Sequence, residues 1–495
     1  MRSGSAGARV LIASNRGPVS FTLGDDGRLS ARRGGGGLVS GLSAVARRGD
    51  AVWVCAALSD ADRAAARGAP DGRLGVDGTP GGSAVRMLDI PPAVFHRAYN
   101  AVANSTLWFV HHMLYDTPNQ PHFGMTFERE WESFRTYNHA FAAALAQDAG
   151  PAGRADGERV RAMVQDYHLT LVPRMLADLR PDVRIAHFSH TPWAPPEYFR
   201  MLPDDVAREV LDGILGADHA GFLCQRWADS FMDCCEAVLN EGADVDRTRR
   251  QVSYRGHVTG IGVHPLGVDS GGLVSRACEP DVQARVAALA EVAAGRKLIV
   301  RIDRTELSKN IVRGLAAYRE LLVVRPEWRG KVIHLAFAYP SRHDLPEYRE
   351  YTARVQRLAG EISEEFGTAD WDPLILSVDD DYARSLAAFR LADVLLVNPI
   401  RDGMNLVAKE GPILSDRGCA LVLSWQAGAA AELCADALMI NPYDVSGTAR
   451  ALHEALTMAE PERKRRAASL ARQSAALPPG QWFAEQLAAL ERPRR

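Results

Sequence analysis

A chain of 495 residues is too long for one hydrophobic core, and a prior of roughly one domain per 150 residues allows two or three. The composition is globular, 47% hydrophobic and 24% charged, and a formal net charge of −3 argues against nucleic acid or an anionic membrane as the main partner. Seven cysteines, odd in number and without a C-x-x-C pair, fit reduced thiols in a cytosol and not a disulfide framework or a zinc site. No apolar run approaches the ~18 residues of a membrane span. Residues 1–8 run Gly/Ser-rich into a strand, unlike a signal peptide, so the expected location is cytoplasmic.

Val10-Leu11-Ile12-Ala13 reads as a short buried strand, ended by Ser14-Asn15-Arg16-Gly17-Pro18. Gly34 to Gly37 then precede Leu38-Val39-Ser40-Gly41-Leu42, and glycine-rich chain entering a helical pattern offers backbone N–H groups to an anion. Without G-x-x-x-x-G-K-[ST] it is no nucleoside-triphosphate cradle, and taken alone it is as readily a surface loop. Tyr99, Asn100, Asn104 and Trp108 bring aromatics and amides together, a set that packs on sugar rings but more often fills a core. Val164-Gln165-Asp166-Tyr167-His168-Leu169 and Ile185-Ala186-His187-Phe188-Ser189-His190-Thr191-Pro192-Trp193 end consecutive strands in polar residues, which in α/β sheets line the ligand crevice. His187, mid-strand, reads as a core histidine; His190 serves neither strand nor helix and is a functional candidate. From Val206 to about Asn240 the pattern is helical, interrupted by a strand at Gly221-Phe222-Leu223, and residues 249–258 alternate like a hairpin. Ser270-Gly271-Gly272 is the expected linker.

A second β/α series follows. Residues 297–302 read as a strand and 303–310 as its loop, where Arg304 and Lys309 make a clamp for a diphosphate, one by its planar fork and one as a point charge. Residues 332–337 form the next strand, ending in Tyr339-Pro340-Ser341-Arg342; residues 374–378 form another, and Asp379-Asp380-Asp381 open a helix to Leu391. Those acids complement the helix dipole or read a base edge bearing two N–H donors. The apolar run Val394-Leu395-Leu396-Val397 is a strand buried on both faces, stopped by Asn398-Pro399 and turned at Asp402-Gly403 into a helix starting near Asn405. Such a strand, turn and helix aims free N–H groups at whatever lies above the strand, and a diphosphate is the natural occupant. Glu410, more than a turn in, is placed to accept both hydroxyls of a ribose. The expected domains are 1–268 and 269–478, with 479–495 a last helix crossing back to the first.

Taken together these residues resemble the trehalose-6-phosphate synthases, retaining nucleotide-sugar glucosyltransferases, almost from end to end. Arg401 to Glu410 (Arg-Asp-Gly-Met-Asn-Leu-Val-Ala-Lys-Glu) follows that signature without a break, and Asp166, His190, Arg304, Lys309 and Ser341-Arg342 come in the family's order. The resemblance implies an α/β chain of the GT-B fold, two facing Rossmann-like domains with the site in the cleft between them. It also implies that Arg304 and Lys309 hold the donor diphosphate with the backbone at Asn405 and Leu406, while Gly36 and Gly37 close over it. Glu410 would take the ribose, and His190, Asp402, Gly403 and Met404 the donor glucose. Arg16, Tyr99, Trp108, Asp166 and Arg342 would hold the acceptor, glucose 6-phosphate. No cofactor or dedicated metal site is expected, and a homo-oligomer is left open.

Two departures stand out. The usual Arg-Leu-Asp-Tyr-[Ser/Thr]-Lys-Gly is here Arg304-Thr305-Glu306-Leu307-Ser308-Lys309-Asn310, and Ala56 stands near the place of a second tryptophan after Trp53. The first resembles related pseudoglycosyltransferases that couple a GDP-borne cyclitol to an aminocyclitol phosphate through a C–N bond. Guanine presents N1–H and N2–H₂ side by side to a carboxylate such as Asp379 or Asp380, so GDP-glucose is expected over UDP-glucose. The alternatives are that C–N coupling reaction and a catalytically silent sugar-nucleotide-binding regulator. A dehydrogenase is disfavoured because no G-x-G-x-x-G with a following acid stands at the first βα turn.

Overall fold

The computed structural model describes residues 10–24, 28–33, 51–69, 73–74, 84–151, 159–342 and 344–491. The chain forms two compact units, Met1–Pro265 with Pro479–Arg495, and Leu266–Pro478.

The strands of the first unit are β1 (Val10–Ala13), β2 (Val19–Leu23), β3 (Leu29–Arg33), β4 (Ala51–Ala56), β5 (Arg73–Leu74), β6 (Ala84–Leu88), β7 (Arg161–Gln165), β8 (Arg184–Ser189), β9 (His219–Phe222), β10 (Ala243–Asp246), β11 (Gln251–Tyr254) and β12 (His257–Val263). β2 and β3 form a separate hairpin; the others make one sheet in the order β10-β11-β12-β9-β8-β7-β1-β4-β6-β5. From β6 to β12 the neighbours run parallel. The chain enters this block at β1, steps outward through β4 and β6, then returns to the other side of β1 with β7 and continues through β8, β9 and β12. β1, β4, β8 and β9 are buried at every residue, which is why they read as continuous apolar runs instead of alternating ones.

The second unit holds β13 (Lys297–Arg304), β14 (Val332–Tyr339), β15 (Leu374–Ser377), β16 (Val394–Val397), β17 (Ala420–Ser424) and β18 (Leu438–Ile440), in the order β15-β14-β13-β16-β17-β18. All its pairings are parallel. The path is again centre, out to one side, back, and out to the other. This is the doubly wound 3-2-1-4-5-6 order, in which ligands bind beyond the carboxyl ends of the strands where the winding reverses. The reversal lies between β1 and β7 in the first unit and between β13 and β16 in the second.

Two local expectations need correction. Ser270-Gly271-Gly272 is not a linker but the first turn of the helix Ser270–Ala277, because Asp269 Oδ1 accepts the Gly272 N–H at 3.0 Å and caps it. Arg304 belongs to the strand and not to its loop, since β14 runs on beside β13 until Tyr339 stands opposite Arg304. Residues around Tyr99 and Trp108 lie in continuous helix from Pro92 to His112, whose middle, Arg97–Leu107, is π-helical. That wider turn has no 3.6-residue signature to read. No described helix is long and apolar enough to cross a membrane.

Candidate active site

At the reversal point of the second unit, β13 ends in a one-turn 3₁₀ helix, Leu307–Lys309. Neighbouring strands fix this turn from both sides. Thr305 N–H donates to Tyr339 O at 2.6 Å and its hydroxyl to Ala338 O at 3.0 Å, while Ile400 N–H donates to Ser308 O at 2.8 Å. Asn310 adopts φ 58°, a left-handed conformation that asparagine tolerates better than most residues. Its amide donates to Asn398 O at 3.0 Å and Pro442 O at 2.7 Å, and the Asn398 amide donates back to Asn310 O at 3.1 Å. The turns after β13 and β16 are thereby tied together. Lys309 Nζ donates to Asp402 Oδ2 at 2.5 Å, and Asn405 Nδ2 reaches the same oxygen at 3.1 Å. Burial alone would lower the Lys309 pKa; the charges of Asp402, Asp303 and Glu306 overrule it and raise it, so the ammonium stays charged.

The chain from Asp402 to Leu406 leads into the helix Val407–Leu414, two residues later than the expected start at Asn405. Asn405, at φ 78°, instead precedes the capping Leu406, and its Oδ1 accepts the Ala408 N–H at 3.2 Å. The segment rests on the turn after β17: Gly428 N–H donates to Asp402 O at 3.1 Å and Ala429 N–H to Met404 O at 2.8 Å. A Cβ at Gly428 would overlap the Gly403 carbonyl, so this close approach needs glycine. The positive dipole end of the helix thus follows, after four residues, the Asp402 that Lys309 contacts. Glu410, in that first turn and partly buried, has its carboxyl pushed up by burial to about 7.

Arg342, beyond β14, holds φ 50° and donates to Tyr348 Oη at 2.6 Å. Ser341 beside it donates to Glu306 Oε1 at 3.0 Å, and that oxygen lies 3.2 Å from Arg304 Nη2. Arg304, Lys309 and Arg342 thus belong to one charged cluster at the ends of adjacent strands. Asp379 and Asp380 do not join it. Both are exposed beyond β15, the edge strand, two strand spacings or about 10 Å from β13. Asp381 is the acid that caps the following helix, accepting the Arg384 N–H at 2.9 Å and pairing with Arg285 at 2.9 Å.

In the first unit, Arg16, Asp166 and His190 follow β1, β7 and β8, three neighbouring strands. The turn carrying Arg16 is held rigidly: Trp53 Nε1 donates to Ser14 Oγ at 2.7 Å, Ser14 Oγ to Arg16 O at 2.6 Å, and Tyr137 Oη to Asn15 Oδ1 at 2.6 Å. The Arg16 side chain is left exposed. Asp166 sits at φ 75°, an unusual conformation for a non-glycine residue, with its Oδ1 accepting the His190 N–H at 3.2 Å. His190 Nε2 lies 3.0 Å from Gln165 Oε1. Burial, helped by neighbouring His187, holds the His190 pKa down at about 3, so the ring is neutral and suited to a sugar hydroxyl. Tyr99 stacks on His168 at 5.5 Å, Trp108 packs against Tyr167 at 5.6 Å, and Tyr167 Oη donates to Asn104 Oδ1 at 2.8 Å. His187 is fully buried, as expected of a core histidine. Gly36 and Gly37 lie outside the described residues.

Sequence reasoning missed Glu306, Asn310 and Tyr167. Glu306 and Asn310 were visible only as departures from a pattern; the Ser341 hydroxyl that meets Glu306 and the Asn398 and Pro442 carbonyls that meet Asn310 are distant in sequence. Among the described residues no group of three or more His, Cys, Asp or Glu is arranged to hold a metal ion.

Comparison with known proteins places these features in context. The family model of glycosyltransferase family 20 matches residues 8–492. The alpha,alpha-trehalose-phosphate synthase [UDP-forming] of Schizosaccharomyces pombe is 32% identical over 464 residues, 92% of this chain and 85% of that protein. An Arabidopsis thaliana protein named probable alpha,alpha-trehalose-phosphate synthase [UDP-forming] 2 is 33% identical over 92% of this chain, which spans 54% of that longer relative. Among solved structures, the UDP-forming alpha,alpha-trehalose-phosphate synthase of Burkholderia vietnamiensis matches with a TM-score of 0.83 at 27% identity, covering 98% of this chain and all of that one. An E. coli structure with UDP-2-fluoro glucose bound matches with a TM-score of 0.83 at 26% identity, covering 98% of this chain and 99% of that one. The fold is the GT-B fold that the sequence resemblance implied.

Proposed function

The chain belongs to glycosyltransferase family 20, and from that membership we propose that it transfers glucose from a nucleoside diphosphate glucose to glucose 6-phosphate with retention, forming α,α-trehalose 6-phosphate. The observation that carries this reading is the Lys309–Asp402 contact of 2.5 Å at the reversal point of the second unit, beside a helix N-terminus. A cation aligned with backbone N–H groups is what a departing diphosphate needs.

In the proposed reaction the bond from glucose C1 to the diphosphate oxygen breaks first, leaving oxocarbenium character at C1. The anomeric hydroxyl of glucose 6-phosphate attacks the same face and passes its proton to the departing phosphate oxygen. No protein nucleophile enters, so catalysis is positioning and charge stabilisation by Arg304, Lys309 and the Asn405–Leu406 backbone. Neutral His190, Asp402 and the chain at Gly403 and Met404 hold the donor glucose, and Glu410 takes the ribose. Arg16, Tyr99, Trp108 and Asp166 take the acceptor, with Arg342 on its phosphate.

The guanine preference expected from the sequence finds no support in the relatives named above, which are UDP-forming. The departures that prompted it also have local uses: Thr305 bonds Ala338, Glu306 pairs with Arg304, and Asn310 bonds Asn398 and Pro442. None of these bonds involves Asp379 or Asp380. UDP-glucose is therefore the first donor to test, and the relatives named above do not favour the C–N coupling alternative. Incubation with glucose 6-phosphate and either UDP-glucose or GDP-glucose should release the nucleoside diphosphate and form a non-reducing disaccharide phosphate. Consumption of neither donor would overturn the proposal.

A further inference from the structure

A buried carboxylate lies under the cation cluster, and the reaction scheme above gives it no task. The Glu306 side chain is entirely buried, whereas its partner Arg304 is 57% exposed. Its Oε1 serves two strands at once, accepting the Ser341 hydroxyl at 3.0 Å and facing Arg304 Nη2 at 3.2 Å. Its Oε2 has no hydrogen-bond partner among the described residues, so much of its hold on the cations is through charge. Burial would push its pKa up, but the charges of Arg304, Arg342 and Lys309 hold it down at about 2. Three cations gathered at the ends of adjacent strands repel one another before any phosphate arrives. Asp402 offsets Lys309 directly; Glu306 is what Arg304 and the Ser341-Arg342 turn have in common.

We propose that Glu306 is a positioning residue for both phosphates, holding Arg304 directly and Arg342 through the neighbouring Ser341 at the separation the two substrates require. This rests on the assignment of Arg304 to the donor and Arg342 to the acceptor. One buried charge would then couple the two substrate sites: losing it disturbs the binding of each, which a residue serving one phosphate would not do.

The test is calorimetric titration of glucose 6-phosphate, and separately of whichever of UDP and GDP binds the unaltered protein, with steady-state kinetics alongside. Glu306→Gln keeps the size and removes the charge; it should weaken both ligands at least fivefold and lower kcat. Glu306→Asp keeps the charge and should restore part of both losses, which a purely structural role would not do. Ser341→Ala, which removes only the hydroxyl link, should weaken glucose 6-phosphate and spare the nucleotide, and it keeps the idea testable if Glu306→Gln fails to fold. Unchanged affinities in Glu306→Gln and Ser341→Ala, or a Glu306→Gln loss confined to one ligand, would overturn the inference while leaving the functional reading standing. Failure of the unaltered protein to bind either ligand would overturn that reading, and the inference with it.

Discussion

Lys309 and Asp402 form an ion pair in the candidate site, with Asn405 Nδ2 on the same carboxylate oxygen. The spacing of Lys309 from Arg304 suggested a diphosphate clamp, and the fold brings it against Asp402, 93 residues later. Lys309→Ala should lower kcat at least tenfold, since losing one such donor in a comparable site raises a barrier by about 3 kcal/mol. Near-normal turnover in a steady-state assay would refute the role. Glu410 gives a pH-dependent expectation. Its carboxyl titrates at about 7 because of burial, and it must lose its proton to accept two ribose hydroxyls. Donor KM should therefore fall as pH rises from about 5.5 to about 8, and Glu410→Gln should flatten that profile. The stability sign runs the other way. With an ordinary value of 4.5 and a folded value of about 7, the group favours the folded chain fully below pH 4.5 and loses that contribution as pH rises through 7. Glu306, which faces Arg304 and accepts a hydroxyl from Ser341 on another turn, could not be valued from sequence: nothing local says that a glutamate after Arg-Thr is fully buried.

Short elements carry the site, and their boundaries depend on neighbours. Ser270 to Gly272 looks like linker because glycine is a poor helix former, yet one Asp269 cap is enough to start a helix there. The π-helical run Arg97–Leu107 was illegible for a different reason: its hydrogen bonds skip one residue more than the period used to recognise helices. Gly428 works at this scale too. Gly428→Ala would force the Met404 segment away from the turn after β17, raising donor KM and costing about 1–3 kcal/mol by overpacking, as read by donor titration and urea unfolding. Asp381→Ala should cost about 1 kcal/mol through loss of the cap on the helix Tyr382–Leu391, measurable by the same unfolding.

Across the whole molecule, the two units share one winding order, and candidate residues follow the strands at its reversal in each, Arg16 and Asp166 after β1 and β7, Lys309 and Asp402 after β13 and β16. No internal repeat in the sequence announces this, because the shared feature is a path of strands and not a pattern of side chains. The last helix, Pro479–Ala489, belongs to the first unit although the second precedes it. Its Trp482 is buried edge-on to Phe188 at 4.9 Å and lies 5.6 Å from the His190 ring. Trp482→Ala should destabilise the protein by about 3–5 kcal/mol, the range for emptying such a site. It should also raise donor KM by loosening His190, as seen in urea unfolding and kinetics.

By itself the sequence determined the α/β class, the buried strands and the chemistry available after them, because these depend on local runs of apolar residues and on short signatures such as Asp402-Gly403-Met404-Asn405. Tertiary structure alone decided which of those groups meet: Lys309 with Asp402, Asn310 with Asn398, Glu306 between Arg304 and Ser341, and Asp379 and Asp380 apart on an edge strand. The physical reason is that a burial pattern repeats every few residues, whereas a contact between strand ends depends on the order in which whole strands are laid side by side.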